Sequence, residues 1–243
     1  MSKRYRGKTC VYCCKPESSE TADHVLARQF VLERSRAGLP KVPACGPCNR
    51  AKSQLEHYLT AVMPFGGTHP DATEALTSLV PPRLEKNRKI QRHLADGMEL
   101  RYSTDATWKW FSYGAVPIDV DLLIELYEHI VRGLAYWHWE LLLPPGDCLV
   151  AARFIRSDMP FFEQLLKQNA ARRLQESIGN GALVYEGAQS TDPKTLTIWK
   201  IALMGAKFST DQVGQVASWA YVLTAPSSSR SAKELLRLVD QGE

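Results

Sequence analysis

Residues 41–53 read KVPACGPCNRAKS, so that a Cys-x2-Cys pair is followed at once by a helical pattern. The same spacing recurs at residues 10–13, which read CVYC, with 31 residues between the two pairs. Two such pairs supply the four soft thiolates of a closed tetrahedral zinc site, which has no open position for catalysis. The spacing therefore predicts a structural Zn²⁺ bound by Cys10, Cys13, Cys45 and Cys48.

The residues around the second pair predict a small β-β-α unit. Residues 22–26 are partly β-branched and residues 41–44 lead into the second pair, so both segments are predicted strands. Leucine and valine recur at helical spacing over residues 49–63, which predicts a helix. A unit this small buries little apolar surface, so zinc binding is expected to supply much of its folding free energy.

Positive charge is concentrated in the same segment. Residues 1–52 contain 11 Lys and Arg against 4 Asp and Glu, whereas the rest of the chain contains 19 against 22. A compact positive module attracts a phosphate backbone, so DNA is the predicted partner. A solvated basic face is the alternative explanation.

Composition is that of an ordinary globular protein, with 44% hydrophobic and 23% charged residues. No apolar run approaches the ~20 residues of a membrane helix, so no membrane association is predicted. No apolar segment follows the basic N-terminus MSKRYR, which argues against a secretory signal. We therefore expect a cytoplasmic protein, where paired cysteines bind metal more often than they form disulfides.

The combined pattern resembles that of HNH endonucleases, the ββα-metal nucleases. The resemblance rests on the two cysteine pairs, DHV at residues 23–25, VPACGPCN at residues 42–49 and the lysine at residue 52. It implies that His24 is the general base that activates water against a phosphodiester of DNA. It also implies that Asp23 and Asn49 hold one catalytic Mg²⁺ or Mn²⁺. Hydrolysis would leave a 5′-phosphate and a 3′-hydroxyl.

The chemistry of these side chains suits the implied roles. Imidazole accepts a proton near neutral pH, as a general base must. Carboxylate and amide oxygens are the hard ligands that Mg²⁺ and Mn²⁺ prefer. In a regular strand Asp23 and His24 would point to opposite sides, so a local bulge or twist is expected.

The chain departs from the family pattern at one position. Family members commonly carry an asparagine a few residues before the third cysteine, and its side chain orients the catalytic histidine. Pro40 stands near that position here. A backbone carbonyl or another side chain, Gln29 or Ser35, is therefore expected to orient His24, or activity is reduced.

The start of the predicted helix offers further polar side chains. Arg50 and Lys52 lie near its N-terminus, where free backbone N–H groups also favour anions, and both are predicted to contact DNA phosphates. Glu56 lies about 10 Å along the helix axis from Asn49, too far to bind the same ion. Glu56 is therefore predicted to pair with Lys52.

The rest of the chain predicts a larger mixed α+β domain. Helical patterns cover residues 70–95, 121–143, 161–173 and 232–239, and strand patterns cover residues 98–102, 108–111, 182–186, 195–203 and 217–224. His129 and His138 on the second of these helices are interpreted as members of an aromatic core stripe.

Three segments follow from these patterns. Residues 1–66 form the zinc-stabilised HNH module, and residues 67–225 form an α+β accessory domain. Residues 226–243 form a linker and a terminal helix. The accessory domain is expected to recognise targets, to form a homodimer or to bind a protein partner.

Two other functions remain open at this point. A non-catalytic zinc module that binds nucleic acid through a degenerate HNH site is favoured by Pro40 and disfavoured by the intact Asp23, His24 and Asn49. An interaction protein that keeps only an HNH-like remnant is disfavoured by the positive charge concentrated beside the motif.

Overall fold

The structure, a computed structural model, describes residues 3–104, 109–154, 160–168, 172–209, 216–217 and 219–241. Within these ranges the chain combines helices with a five-stranded antiparallel sheet, and a small N-terminal unit precedes a larger region. The predicted α+β class is confirmed. No helix in the described residues is long and apolar enough to cross a membrane.

The N-terminal unit has the predicted β-β-α order. Strands β1 (Thr21–His24) and β2 (Lys41–Ala44) pair antiparallel, with His24 opposite Lys41, and α1 (Gly46–Gly66) follows. Helix α1 begins three residues earlier than predicted, because Cys45 is extended and the fixed φ of a proline is tolerated in the first helical turn.

Three short helices and a hairpin come next. They are α2 (Pro70–Ser78), α3 (Val80–Lys86), α4 (Arg88–Asp96), β3 (Glu99–Thr104) and β4 (Trp110–Ala115). Pro81 and Pro82 lie in the first turn of α3, where no backbone N–H is needed. The breaks fall on Leu79 and Asn87.

Helix α5 (Val120–Trp139) is the second long helix of the described residues. The Asp119 side chain caps it by accepting a hydrogen bond from the backbone N–H of Leu122 at 3.1 Å. The helix ends four residues earlier than predicted, because Glu140 adopts a left-handed conformation.

The sheet region follows α5. Its elements are β5 (Cys148–Phe154), α6 (Pro160–Gln168), β6 (Arg173–Ile178), β7 (Leu183–Gln189), β8 (Thr197–Leu203), β9 (Phe208–Ser209), β10 (Val216–Ala217), β11 (Ala220–Pro226) and α7 (Arg230–Gln241). The large sheet has the order β5-β11-β8-β7-β6. The sequence patterns missed β5 and β6. The helix predicted over residues 161–173 ends at Gln168, and Arg173 begins an edge strand whose mostly exposed, polar residues give little apolar signal.

Apolar packing runs through both regions. One buried cluster includes Val25 and Leu59 of the β-β-α unit, Leu126 of α5 and Trp199 of β8. Gly133 permits close approach of α5, because a Cβ there would lie 2.8 Å from the Val25 side chain. The division at residue 66 stays a prediction, and burial continues across it.

Candidate functional site

Four thiols converge where the N-terminal turn meets the start of α1. The Sγ atoms of Cys10, Cys13, Cys45 and Cys48 all lie within 4.8 Å of one another. Those of Cys13 and Cys45 are 3.8 Å apart. A tetrahedral zinc with ~2.3 Å Zn–S bonds separates its sulfurs by about 3.8 Å. The group could therefore hold a metal ion, and its chemistry is consistent with a structural zinc.

Backbone hydrogen bonds tie this cysteine group to the strands. The Val11 N–H donates to the carbonyl of Pro43 at 3.0 Å, which joins the first cysteine pair to β2. The Asn49 N–H donates to the carbonyl of Cys45 at 3.0 Å in the first turn of α1. A metal bound by the four thiols would therefore fix α1 relative to the β1–β2 hairpin.

A buried ammonium links α1 to the Asp-His pair. Lys52 Nζ lies 3.1 Å from Asp23 Oδ2 and donates to the His24 carbonyl at 2.8 Å. It also lies 2.5 Å from Glu56 Oε1, and the Lys52 side chain is 0% exposed. Such oxygen partners are what a buried ammonium requires.

This arrangement decides two predictions about α1. The predicted Lys52–Glu56 pair is confirmed. The predicted contact between Lys52 and a DNA phosphate is corrected, because the ammonium binds protein oxygens in the interior and does not reach the surface. Arg50 is exposed near the start of α1, and its phosphate contact stays a prediction.

Tyr12 and His129 extend the network beyond the motif. The Tyr12 hydroxyl donates to Asp23 Oδ2 at 2.5 Å, and the Tyr12 ring lies 5.2 Å from the His129 ring, centroid to centroid. Burial lowers the pKa of His129, with a smaller contribution from Lys52. Helix α5 therefore places a histidine beside the site, where the sequence pattern had assigned only a core position.

His24 lies half-buried at the end of β1. Burial is the largest cause that lowers its pKa, followed by the positive charge of Lys41, while Asp23 opposes both. A lowered pKa keeps the imidazole neutral near pH 7, which is the state that accepts a proton. Among the described residues, no hydrogen bond reaches the His24 ring.

Pro40, near the position where HNH endonucleases commonly carry an asparagine, forms a hydrogen bond through its backbone carbonyl. The Pro40 carbonyl accepts a hydrogen bond from the N–H of Val25, directly after His24, at 2.9 Å. The Ser35 hydroxyl, one candidate for orienting His24, donates instead to Asp71 Oδ2 at 2.9 Å. Gln29 is exposed, and its backbone carbonyl accepts from Arg83. Among the described residues, no hydrogen bond therefore joins either candidate side chain to the His24 imidazole.

Asp23 and Asn49 stand on the two elements that the resemblance requires. Asp23 lies on β1 with 11% of its side chain exposed, and Asn49 lies half-buried in the first turn of α1. Tyr12 and Lys52 both bind Oδ2 of Asp23. In the part of the chain that the structure describes, Oδ1 of Asp23 accepts no hydrogen bond.

Comparison with known proteins adds no relative. No protein-family model, no curated protein and no solved structure matches the chain.

Replacing Glu56 with glutamine should change how stability depends on pH. Burial is the main cause that raises the Glu56 pKa from 4.5 to about 7, against the opposing effect of Lys52. A raised pKa in the folded state makes a contribution that is full below pH 4.5 and is lost as the pH rises through 7. We expect urea unfolding to show the wild-type stability falling by roughly 2–3 kcal/mol relative to Glu56→Gln across this range.

The exposed Glu33 supplies the matched control for this measurement. Glu33→Gln should leave the pH profile of the wild type unchanged. Parallel profiles for wild type and Glu56→Gln would show that the Glu56 pKa is the same in the folded and unfolded states, so that burial does not raise it.

Proposed function

We propose that this chain is a metal-dependent endonuclease of the HNH type that hydrolyses phosphodiester bonds in DNA. The observation that carries the proposal is the contact of Lys52 with Asp23 and with the His24 carbonyl. Lys52 lies one helical turn after Asn49, so these bonds hold the start of α1 against the Asp-His pair. The cysteine group lies at the same end of α1, where it clamps this arrangement.

The metal proposed for the four-cysteine group is Zn²⁺. Four thiolates are the soft ligand set of structural zinc, and the 3.8 Å separation of two sulfurs suits tetrahedral coordination. Such a site is closed, so its role would be to stabilise the β-β-α unit.

The catalytic ion proposed for Asp23 and Asn49 is Mg²⁺ or Mn²⁺. Their oxygens are hard ligands, and the unbonded Oδ1 of Asp23 fits such a role. When bound, the ion would supply positive charge that stabilises the negative charge developing on the phosphate. Lys52 would then fix the Asp23 carboxylate by holding its other oxygen.

His24 carries the proton in the proposed reaction. Its neutral imidazole takes a proton from water as the water oxygen forms a bond to phosphorus. The bond from phosphorus to the 3′-oxygen breaks, and that oxygen leaves with a proton from solvent. The products are a 5′-phosphate and a 3′-hydroxyl, as the resemblance implies. The exposed side chain of Arg50 would contact the DNA backbone.

One observation favours the alternative, a non-catalytic module that binds nucleic acid. The Lys52 ammonium already neutralises the carboxylate that would bind the catalytic ion. Like charges repel, so Lys52 weakens the affinity of Asp23 for a divalent ion. The intact Asp23-His24 pair, held against α1, favours the nuclease over this alternative.

A plasmid-nicking assay with Mg²⁺ or Mn²⁺ tests the proposal. Wild-type protein should convert supercoiled plasmid to the open circle, and His24→Ala should slow this by roughly 100-fold or more, because it removes the general base. His57 is exposed on α1, so His57→Ala is the matched control and should nick at the wild-type rate.

The outcomes separate the two functions. A wild type that binds DNA and zinc but gives no open circle with either ion would establish the non-catalytic module. Equal nicking by wild type and His24→Ala would remove His24 from the reaction.

A further inference from the structure

The β3–β4 hairpin exposes large apolar side chains on one face. Strand pairing places Leu100 opposite Gly114, Tyr102 opposite Ser112 and Thr104 opposite Trp110. Directly paired residues of antiparallel strands share a face. Leu100 is 63% exposed, Tyr102 65% and Trp110 72%. We call these three residues the hairpin face.

The residues between these side chains are small. Tyr102 is paired with the exposed Ser112, and Leu100 is paired with Gly114, which has no side chain. A Cβ built at Gly114 meets nothing within 4 Å, so the space above this part of the hairpin face is open. A flat ligand can therefore approach the rings without displacing protein atoms.

The spacing of the hairpin face suits a nucleic-acid strand. Leu100 and Tyr102 are two residues apart on β3, which is about 7 Å. Tyr102 and Trp110 are diagonal neighbours across the strands, at about 7–8 Å. Each interval exceeds the ~3.4 Å rise per nucleotide of a strand within a duplex, so the unpaired bases of an extended single strand can reach successive side chains.

Helix α4, which directly precedes the hairpin in the chain, carries exposed positive charge. Arg88, Lys89 and Arg92 are exposed on this helix. None of the three forms an ion pair with a carboxylate of the described residues. Gly97 packs against Pro117 and joins the end of α4 to the hairpin, since a Cβ at Gly97 would lie 2.6 Å from Pro117. Cations that lack carboxylate partners are free to bind phosphates.

From this juxtaposition we propose that the hairpin face and α4 together bind single-stranded DNA. Bases stack on Tyr102 and Trp110, and phosphates contact Arg88, Lys89 and Arg92. Bases in a duplex are already stacked on one another, so the hairpin face selects DNA with unpaired bases. The inference deepens the proposed function by assigning the strand state of the substrate, and it rests on that function for the choice of DNA.

The area of the hairpin face argues against a protein partner. Large aromatic side chains bury about 150–250 Å² each, so the two partly exposed rings together with the smaller Leu100 offer on the order of 400 Å². A stable protein interface needs about 800 Å² on each partner. Nucleic acid needs less apolar area, because phosphate contacts supply much of its affinity.

Fluorescence anisotropy with a labelled oligothymidine and a matched duplex, without added Mg²⁺ or Mn²⁺, tests the inference. The wild type should bind the single strand more tightly than the duplex. Trp110→Ala should weaken binding to the single strand by roughly 10-fold. Arg88→Gln should reduce the slope of affinity against salt by about 0.7. The exposed Trp137 of α5 supplies the control, and Trp137→Ala should change nothing.

Gly114 offers a second, independent variant. Its open surroundings accept a side chain on the hairpin face without a clash. Gly114→Glu should repel phosphates and weaken binding, whereas Gly114→Ala should bind as the wild type does. These variants also serve if Trp110→Ala does not fold.

Three results would overturn the inference: equal affinity for single strand and duplex, unchanged binding by both Trp110→Ala and Gly114→Glu, or a wild-type dimer in sedimentation that Trp110→Ala dissociates.

The nicking assay distinguishes failure of the nuclease proposal from failure of this inference. A wild type that never nicks plasmid but binds oligothymidine through Trp110 retains the hairpin inference. A protein that nicks plasmid but binds oligothymidine equally well with and without Trp110 contradicts the hairpin inference alone.

Discussion

Cys45→Ser should release the bound metal and unfold the N-terminal β-β-α unit. A hydroxyl is a poor substitute for a thiolate, and Cys45 is shared by the metal group and the start of α1. Structural zinc contributes about 10–16 kcal/mol in small zinc modules. That is comparable to the ~5–15 kcal/mol that stabilises a typical domain. Elemental analysis should find about one zinc per wild-type chain and less than a tenth of that in Cys45→Ser.

Hydrogen exchange should localise the damage, with amides of β1, β2 and the first turns of α1 losing protection. Cys14→Ser is the matched control, because Cys14 directly follows Cys13 but lies outside the cysteine group. It should keep both zinc and protection. Retention of zinc by Cys45→Ser, with exchange equal to that of Cys14→Ser, would refute the four-thiolate site.

Buried clusters outside the shared core limit how far this unfolding should spread. Sequence spacing alone predicts a module that depends on zinc, because too few apolar residues lie within residues 1–66 to form a core. The structure adds Leu126 and Ile130 of α5 to the packing around Val25 and Leu59. The sheet region has its own buried residues, so it should keep its protection when the metal is lost.

Local patterns explain why much of the β-β-α unit could be predicted. Cysteine spacing, helical periodicity and the proline near the start of α1 are all encoded within a few neighbouring residues. The burial of Lys52 could not be predicted in this way, because lysine is ordinarily exposed and its partners lie on other elements. Only the fold brings Asp23 and the His24 carbonyl to its ammonium.

Distant elements supply the parts of the candidate site that the motif omits. Tyr12 lies between two cysteines of the four-thiol group, so its closeness to the site has a sequence signal, although its bond to Asp23 does not. His129 has no such signal, since it reaches Tyr12 only because α5 packs across the β1–β2 hairpin. In the sheet region, the polar edge strand β6 was missed for the related reason that exposed strands carry little apolar periodicity.

Lys52→Met should destabilise the protein by about 3–5 kcal/mol at neutral pH. Methionine fills similar volume but leaves the carboxylates of Asp23 and Glu56 without the cation that lies 3.1 Å and 2.5 Å from them. Buried charge without a partner is among the largest single causes of destabilisation. Urea unfolding of wild type and variant measures the difference. Lys41 on β2 is exposed, so the stability of Lys41→Met should stay within about 0.5 kcal/mol of that of the wild type.

The double variant Lys52→Met/Glu56→Gln identifies which carboxylate causes the loss. Burial already raises the Glu56 pKa to about 7, so without Lys52 this group can take up a proton, whereas Asp23 keeps only the Tyr12 hydroxyl. If Glu56 causes the loss, the double variant should recover at least half of the stability lost by Lys52→Met, and the single variant should recover at acidic pH. If Asp23 causes it, the second substitution should recover little. A Lys52→Met protein as stable as Lys41→Met would show that the buried ammonium does not hold α1 against the Asp-His pair.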